Sequence, residues 1–127
     1  MDLDKVYAVD SEAAEDGKWM LTRSGVEVKV AKIGNIKFTK RIAELQKPYI
    51  SLLQSDIDCS DLINTITIDA MSSTILMDWK AESKGEPVLY TPELGKQYMT
   101  LYPDFKEDIS ILSASRANFK PEAVAGK

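Results

Sequence analysis

The sequence predicts a mainly α-helical fold that is α+β at its N-terminus, a β-hairpin packed on a bundle of about four to five helices. Three observations carry this expectation. Val26, Val28 and Val30 alternate with Glu27, Lys29 and Ala31, the period of a half-buried strand. Beyond Ile36 the apolar residues recur at helical spacing instead, first as Phe38, Ile42 and Leu45. Thr91-Pro92-Glu93 then combines an N-cap hydroxyl, a proline whose missing N–H is harmless in a first turn, and an acid at the positive end of a helix dipole.

The elements follow in order. Residues 1–17 hold six acids and one lysine and end at Gly17, which reads as an acidic flexible arm with a short element around Val6 to Val9. Residues 18–119 are expected to form a single globular domain, and 120–127 a flexible C-terminal tail. The domain opens with a hairpin over 18–33, turned at "TRSG" by Gly25. "IGN" ends the strand and the Phe38 helix follows. Pro48 stops or kinks that helix; a break near Gln46, with Pro48 opening a short helical turn through "YISLLQ", fits better. The longest apolar-periodic segment, Ser60 to Trp79, reads as a central helix capped by Ser60 or Asp58. Its "TITI" run is the weak point, because β-branched residues suit a strand too. "AESKGEP" then reads as a solvated loop before the Thr91 helix, with Leu94, Tyr98 and Leu101 on one face. Pro103 ends that helix, and Asp104 and Glu107 have capping-box spacing for a last helix with Phe105, Ile109, Leu112 and Phe119 as its stripe and Arg116 snorkelling.

Composition excludes several classes of chemistry. The chain has 127 residues, one cysteine and no histidine, so neither an internal disulfide nor a nucleophile–histidine pair can form. Cys59 stands between Asp58 and Asp61, which disfavour a thiolate, and reads as an inert residue at a helix start. No phosphate-binding glycine loop occurs, and Asp56, Asp58 and Asp61 lack the glycine and distal glutamate of a calcium loop. An enzyme, a metal site and a cofactor are therefore not expected. The net charge of −4 argues against nucleic-acid binding, although Lys29, Lys32, Lys37, Lys40 and Arg41 lie together without an intervening acid. Those residues read first as solvated faces of a strand and a helix, and second as a patch for an acidic partner. No apolar run approaches the roughly 18 residues that cross a bilayer, so no membrane association is expected.

Two stretches together carry a family resemblance. "GVEVKVAKIGNIKFTKRIAELQKPY" resembles the N-terminal block of the tail assembly chaperones of long-tailed, siphovirus-type bacteriophages. "TILMDWKAESKGEPVLYTPELGKQYM…YPDFKEDI" resembles their second block, in which a helix ends in Trp and a Gly- and Pro-bearing loop leads to Tyr-Ser/Thr-Pro-Glu. The order and spacing of these features carry the likeness over residues 25–119, and the Thr/Ile run departs from it. The resemblance implies a non-enzymatic protein of the host cell cytoplasm, absent from the mature virion. It implies binding to the tail tape measure protein and promotion of tail tube polymerisation. A frameshifted longer form, of which this chain would be the short version, would contact the tail tube protein. Alternatives are a tail or head-completion protein retained in the virion, or a small nucleic-acid-binding regulator.

A protein that holds an apolar helical client needs apolar or aromatic grooves, and several copies along one client would add avidity, so self-association is expected. The aromatics concentrate in the C-terminal half. The partner-binding residues expected are Trp79, Tyr90, Tyr98 and Tyr102, with Lys37, Lys40 and Arg41 as a second patch.

Overall fold

A computed structural model describes residues 1–121. The mainly α expectation holds, and the sheet is larger than expected. Two short helices, α1 (Leu3–Tyr7) and α2 (Ser11–Asp16), precede strands β1 (Lys18–Leu21) and β2 (Glu27–Val30). Helix α3 (Ile36–Gln46) runs into a 3₁₀ turn, Lys47–Tyr49, and the short α4 (Ile50–Leu53). The long α5 (Ser60–Thr74) is followed by β3 (Leu76–Ser83) and β4 (Glu86–Val88), then α6 (Pro92–Leu101), α7 (Pro103–Ala114) and a 3₁₀ turn, Arg116–Phe119. The four strands form one antiparallel sheet in the order β1-β2-β3-β4.

Local chemistry explains most boundaries. The first hairpin closes through Thr22, whose N–H donates to Val26 O at 3.0 Å, and Gly25 takes φ +88° in the turn. Asn35 caps α3 through a 2.8 Å bond from Phe38 N–H, while its buried amide donates to the carbonyls of Ala14 and Thr74. Pro48 does sit at the start of the 3₁₀ turn that interrupts the helix. In α5 the "TITI" run is helical, and the hydroxyls of Thr65, Thr67 and Thr74 donate to the carbonyl four residues back. The Asp58 carboxylate accepts from Ser60 N–H just ahead of this helix, with Cys59 at the cap position.

In the C-terminal half the structure corrects the sequence reading in three places. The central helix ends at Thr74, not at Trp79, and Trp79 lies in β3. The segment read as a solvated loop is a second β-hairpin, turned at Lys84 and Gly85, both with positive φ (54° and 81°). Helix α7 starts at Pro103, so Asp104 is inside its first turn rather than its cap, and Phe119 belongs to the 3₁₀ turn beyond.

Register between β2 and β3 slips by one residue: Lys29 faces Asp78 but Val30 faces Leu76, leaving Met77 extra. In a regular strand Leu76 and Trp79 would point to opposite faces. The bulge brings both to the core, where they meet Val28, Val30, Ile68, Met71, Ile75, Met99 and Ile109. The acidic N-terminal segment, expected as a flexible arm, forms its two helices against this body. Ala14 is buried, Asp10 N–H donates to Phe119 O at 2.7 Å, and Lys32 N–H donates to Ala14 O at 2.9 Å. Of the tail expected over 120–127, residues 122–127 lie outside the described residues.

Candidate functional site: an aromatic cleft

The second hairpin and helices α6 and α7 enclose a cleft of about 210 Å³. One wall is the sheet: Val26, Trp79, Ala81 and Val88. The other is helical: Tyr98 from α6, Tyr102 from the α6–α7 joint and Phe105 from α7. Glu82 is the one charged lining residue.

Trp79 is the floor. It is 6% exposed, and its indole N–H donates to Val88 O at 2.8 Å, which ties β3 to β4 by a side chain as well as by the ladder. Its ring packs edge-on against Tyr90 (4.8 Å, 84°) and Tyr98 (5.6 Å, 77°) and is tilted against Phe105 at 6.1 Å. Tyr98 in turn stacks on Tyr102 at 6.0 Å and 16°, and Tyr102 is 53% exposed. The cluster therefore grades from a dry base to a wet lip, with offset and T-shaped contacts that suit aromatic quadrupoles.

Tyr90 has a different role. It does not line the cleft. Its hydroxyl donates to Ser72 O on α5, and its ring lies over Gly95 at the start of α6. A Cβ on Gly95 would come within 2.7 Å of Tyr90 Cε1. Burial first, then the charges of Glu93 and Asp78, pushes the Tyr90 phenol above its ordinary value, so it stays a neutral donor. Tyr90 is thus a strut behind Trp79.

The structure brings the four aromatics together, and none of the expected basic residues lines the cleft. Lys37 on α3 pairs with Asp16 at 3.4 Å, and Lys40 is exposed on the same helix. Arg41 pairs with Asp69 at 3.0 Å, and Lys96 reaches the other oxygen of Asp69 at 3.2 Å, so one carboxylate on α5 joins α3 and α6. Partial burial alone would raise the Asp69 carboxyl; the hydrogen bonds and charges of Arg41 and Lys96 outweigh it and hold the group below its ordinary value. Val26, Ala81, Glu82, Val88 and Phe105 were not among the expected site residues. Phe105 stood in the predicted apolar stripe of the last helix and Val26 in the predicted first hairpin; Ala81, Glu82 and Val88 become visible only once residues 76–88 are read as strands.

A family model described as YdaY prophage protein matches residues 33–126. The chain belongs to this family. The YdaY match spans the second hairpin, α6 and α7, hence every element of the cleft except Val26, and begins after β2. Membership makes the protein phage-derived. No curated protein and no solved structure is significantly similar to this YdaY chain. Among its described residues no cluster of three or more His, Cys, Asp or Glu is placed to hold a metal ion, and no helix is long and apolar enough to cross a membrane.

Proposed function

We propose that this YdaY-family protein is a non-enzymatic tail assembly chaperone. It binds the tape measure protein of its phage in the host cytoplasm, promotes polymerisation of the tail tube around it, and leaves before the virion matures. The observation that carries the reading is the cleft: seven apolar or aromatic side chains and one rim carboxylate, Glu82, in a phage-derived chain. Such a cleft suits one large apolar side chain from a client helix, with a basic neighbour reaching Glu82. Trp79 and Tyr98 form its preorganised base, and Tyr102 is the contact most open to a client. The order of sequence blocks supports the same reading, and a longer frameshifted form would add the contact to the tube protein. The basic stretch favours a nucleic-acid role less, because Lys37 and Arg41 already face Asp16 and Asp69.

Co-expression with the tape measure protein of the same phage tests this directly. The client is expected to become soluble and to co-purify. Tyr102→Asp is expected to reduce co-purification about tenfold or more, the loss of one aromatic contact of about 1.4 kcal/mol, without changing the thermal midpoint. An insoluble client with nothing co-purifying sinks the proposal. Mass spectrometry of purified virions separates a chaperone, which is absent, from a tail or head-completion protein, which is retained.

A further inference from the structure

We infer that β1 is a self-association edge, and that two copies of this chain join their sheets by antiparallel β1–β1 pairing about a two-fold axis at Met20. The inference stands apart from the chaperone reading, since it uses neither the cleft nor a client.

The two edges of the sheet differ. β4 is three residues long and contains Pro87, devices that blunt an edge. β1 has no proline and no bulge. The pairing of Thr22 N–H with Val26 O fixes which backbone groups face β2: those of Met20 and Lys18, in alternation with Thr22. Trp19 and Leu21 therefore present their N–H and C=O groups outward, and no other backbone group of the described residues bonds to them. The same two residues carry apolar side chains on the outer face of the sheet, 40% and 61% exposed. The Lys80 ammonium sits 4.8 Å from the Trp19 ring centre and holds that ring on the outer face.

Among the registers that keep both outer faces on one side, the one centred on Met20 gives both exposed apolar residues an apolar partner; centring on Trp19 sets Leu21 against Gly17, and centring on Leu21 sets Trp19 against Arg23. With Met20 opposite Met20 of the partner, Trp19 lies opposite the partner's Leu21, and Leu21 opposite the partner's Trp19. Both outer faces then lie on the same side. The outward backbone groups of those two residues are the ones that meet, giving a closed set of ladder bonds, and each exposed apolar side chain gains an apolar cross-strand neighbour. Lys18 faces Thr22, so no like charges oppose each other across the seam. Shifting the register by one residue would turn one copy's core face to the other's solvent face. An isologous, self-complementary strand of this kind is what a two-fold dimer requires. The strand is short, so association is expected to be weak and concentration-dependent.

Sedimentation equilibrium on the full chain is the test. The weight-average mass is expected to rise from the 14.2 kDa monomer towards twice that between about 10 µM and about 1 mM, the weak regime of a small interface. Leu21→Lys and Leu21→Pro should both hold the chain at monomer mass, because each acts on an exposed side chain or on an outward N–H, and circular dichroism should show both folded. Met20→Cys in a Cys59→Ser background should form an intermolecular disulfide on oxidation, since facing residues of a non-hydrogen-bonded pair stand about 4.5 Å apart at Cα. Ser24→Cys in the hairpin turn should not. Monomer mass at every concentration overturns the inference, as does a dimer that survives Leu21→Lys or that fails to cross-link through Met20→Cys.

Discussion

At Gly95 and Tyr90 a missing side chain and a large one define each other. The phenol ring occupies the space a Cβ would take at the N-terminal turn of α6, and its hydroxyl is held by Ser72 O. Gly95→Ala is therefore expected to destabilise the fold by about 1–3 kcal/mol, the usual range for overpacking a filled site. Urea denaturation measures this, and the penalty should shrink in a Tyr90→Leu background, where the two positions no longer compete. An undiminished penalty in the double variant would mean that Tyr90 is not the obstacle. The expectation that Tyr90 contacts a partner came from its residue type and its nearness to Trp79 in sequence. What decides its role is the glycine five positions later, and that pairing is visible only once α6 is seen to fold back under the ring.

Among the elements, the three helices α3, α5 and α6 are joined through Asp69, which receives Arg41 from one side and Lys96 from the other. The folded carboxyl is held below its ordinary value of 3.8, whereas in the unfolded chain it titrates at that value. Its pairing thus contributes in full above that value and is lost as the pH falls through the lower folded value. The stability gap between the wild type and Asp69→Asn is expected to be constant from about pH 7 to 5 and to close below about pH 4. Chemical denaturation at each pH reads it, and a gap that widens in acid would reverse the argument. Most elements were legible. The Val26–Val30 alternation, the Pro48 break and the Thr91-Pro92-Glu93 start each appear where local chemistry puts them, the last with Thr91 Oγ accepting from Leu94 N–H at 3.1 Å. The second hairpin was missed although it is written as Met77, Trp79 and Ala81 alternating with Asp78, Lys80 and Glu82. No glycine or proline separates α5 from β3, so the apolar run reads through the boundary at Ile75. The β-branched "TITI" drew the strand suspicion to residues 65–68, more than two helical turns ahead of β3, and a lysine at positive φ gave a weak turn signal. With the hairpin missed, the sheet wall of the cleft was missed as well.

For the molecule as a whole, the first sixteen residues close the body. Ala14 is buried, its carbonyl accepts from Lys32 N–H and from the Asn35 amide, and Asp10 N–H meets Phe119 O. Composition alone made this segment an acidic arm, because six charges outweigh one small buried alanine in any sequence average. Deleting residues 1–16 is expected to lower stability by about 1–3 kcal/mol, the penalty for leaving buried polar groups without partners. Thermal unfolding checks this, and an unchanged midpoint would restore the segment to a dispensable arm. No residue of β1 lines the cleft, so a partner on that edge and a client in the cleft contact different residues.

The burial of Trp79 also has a spectroscopic consequence. The chain contains two tryptophans, and they occupy opposite environments: Trp19 half in water on the sheet's outer face, Trp79 dry beneath Tyr98 with its N–H already satisfied. Replacing Trp19 by Phe leaves a single tryptophan, at the base of the cleft. Its intrinsic fluorescence, blue-shifted by the apolar surroundings, then serves as a label-free optical gauge of whatever enters.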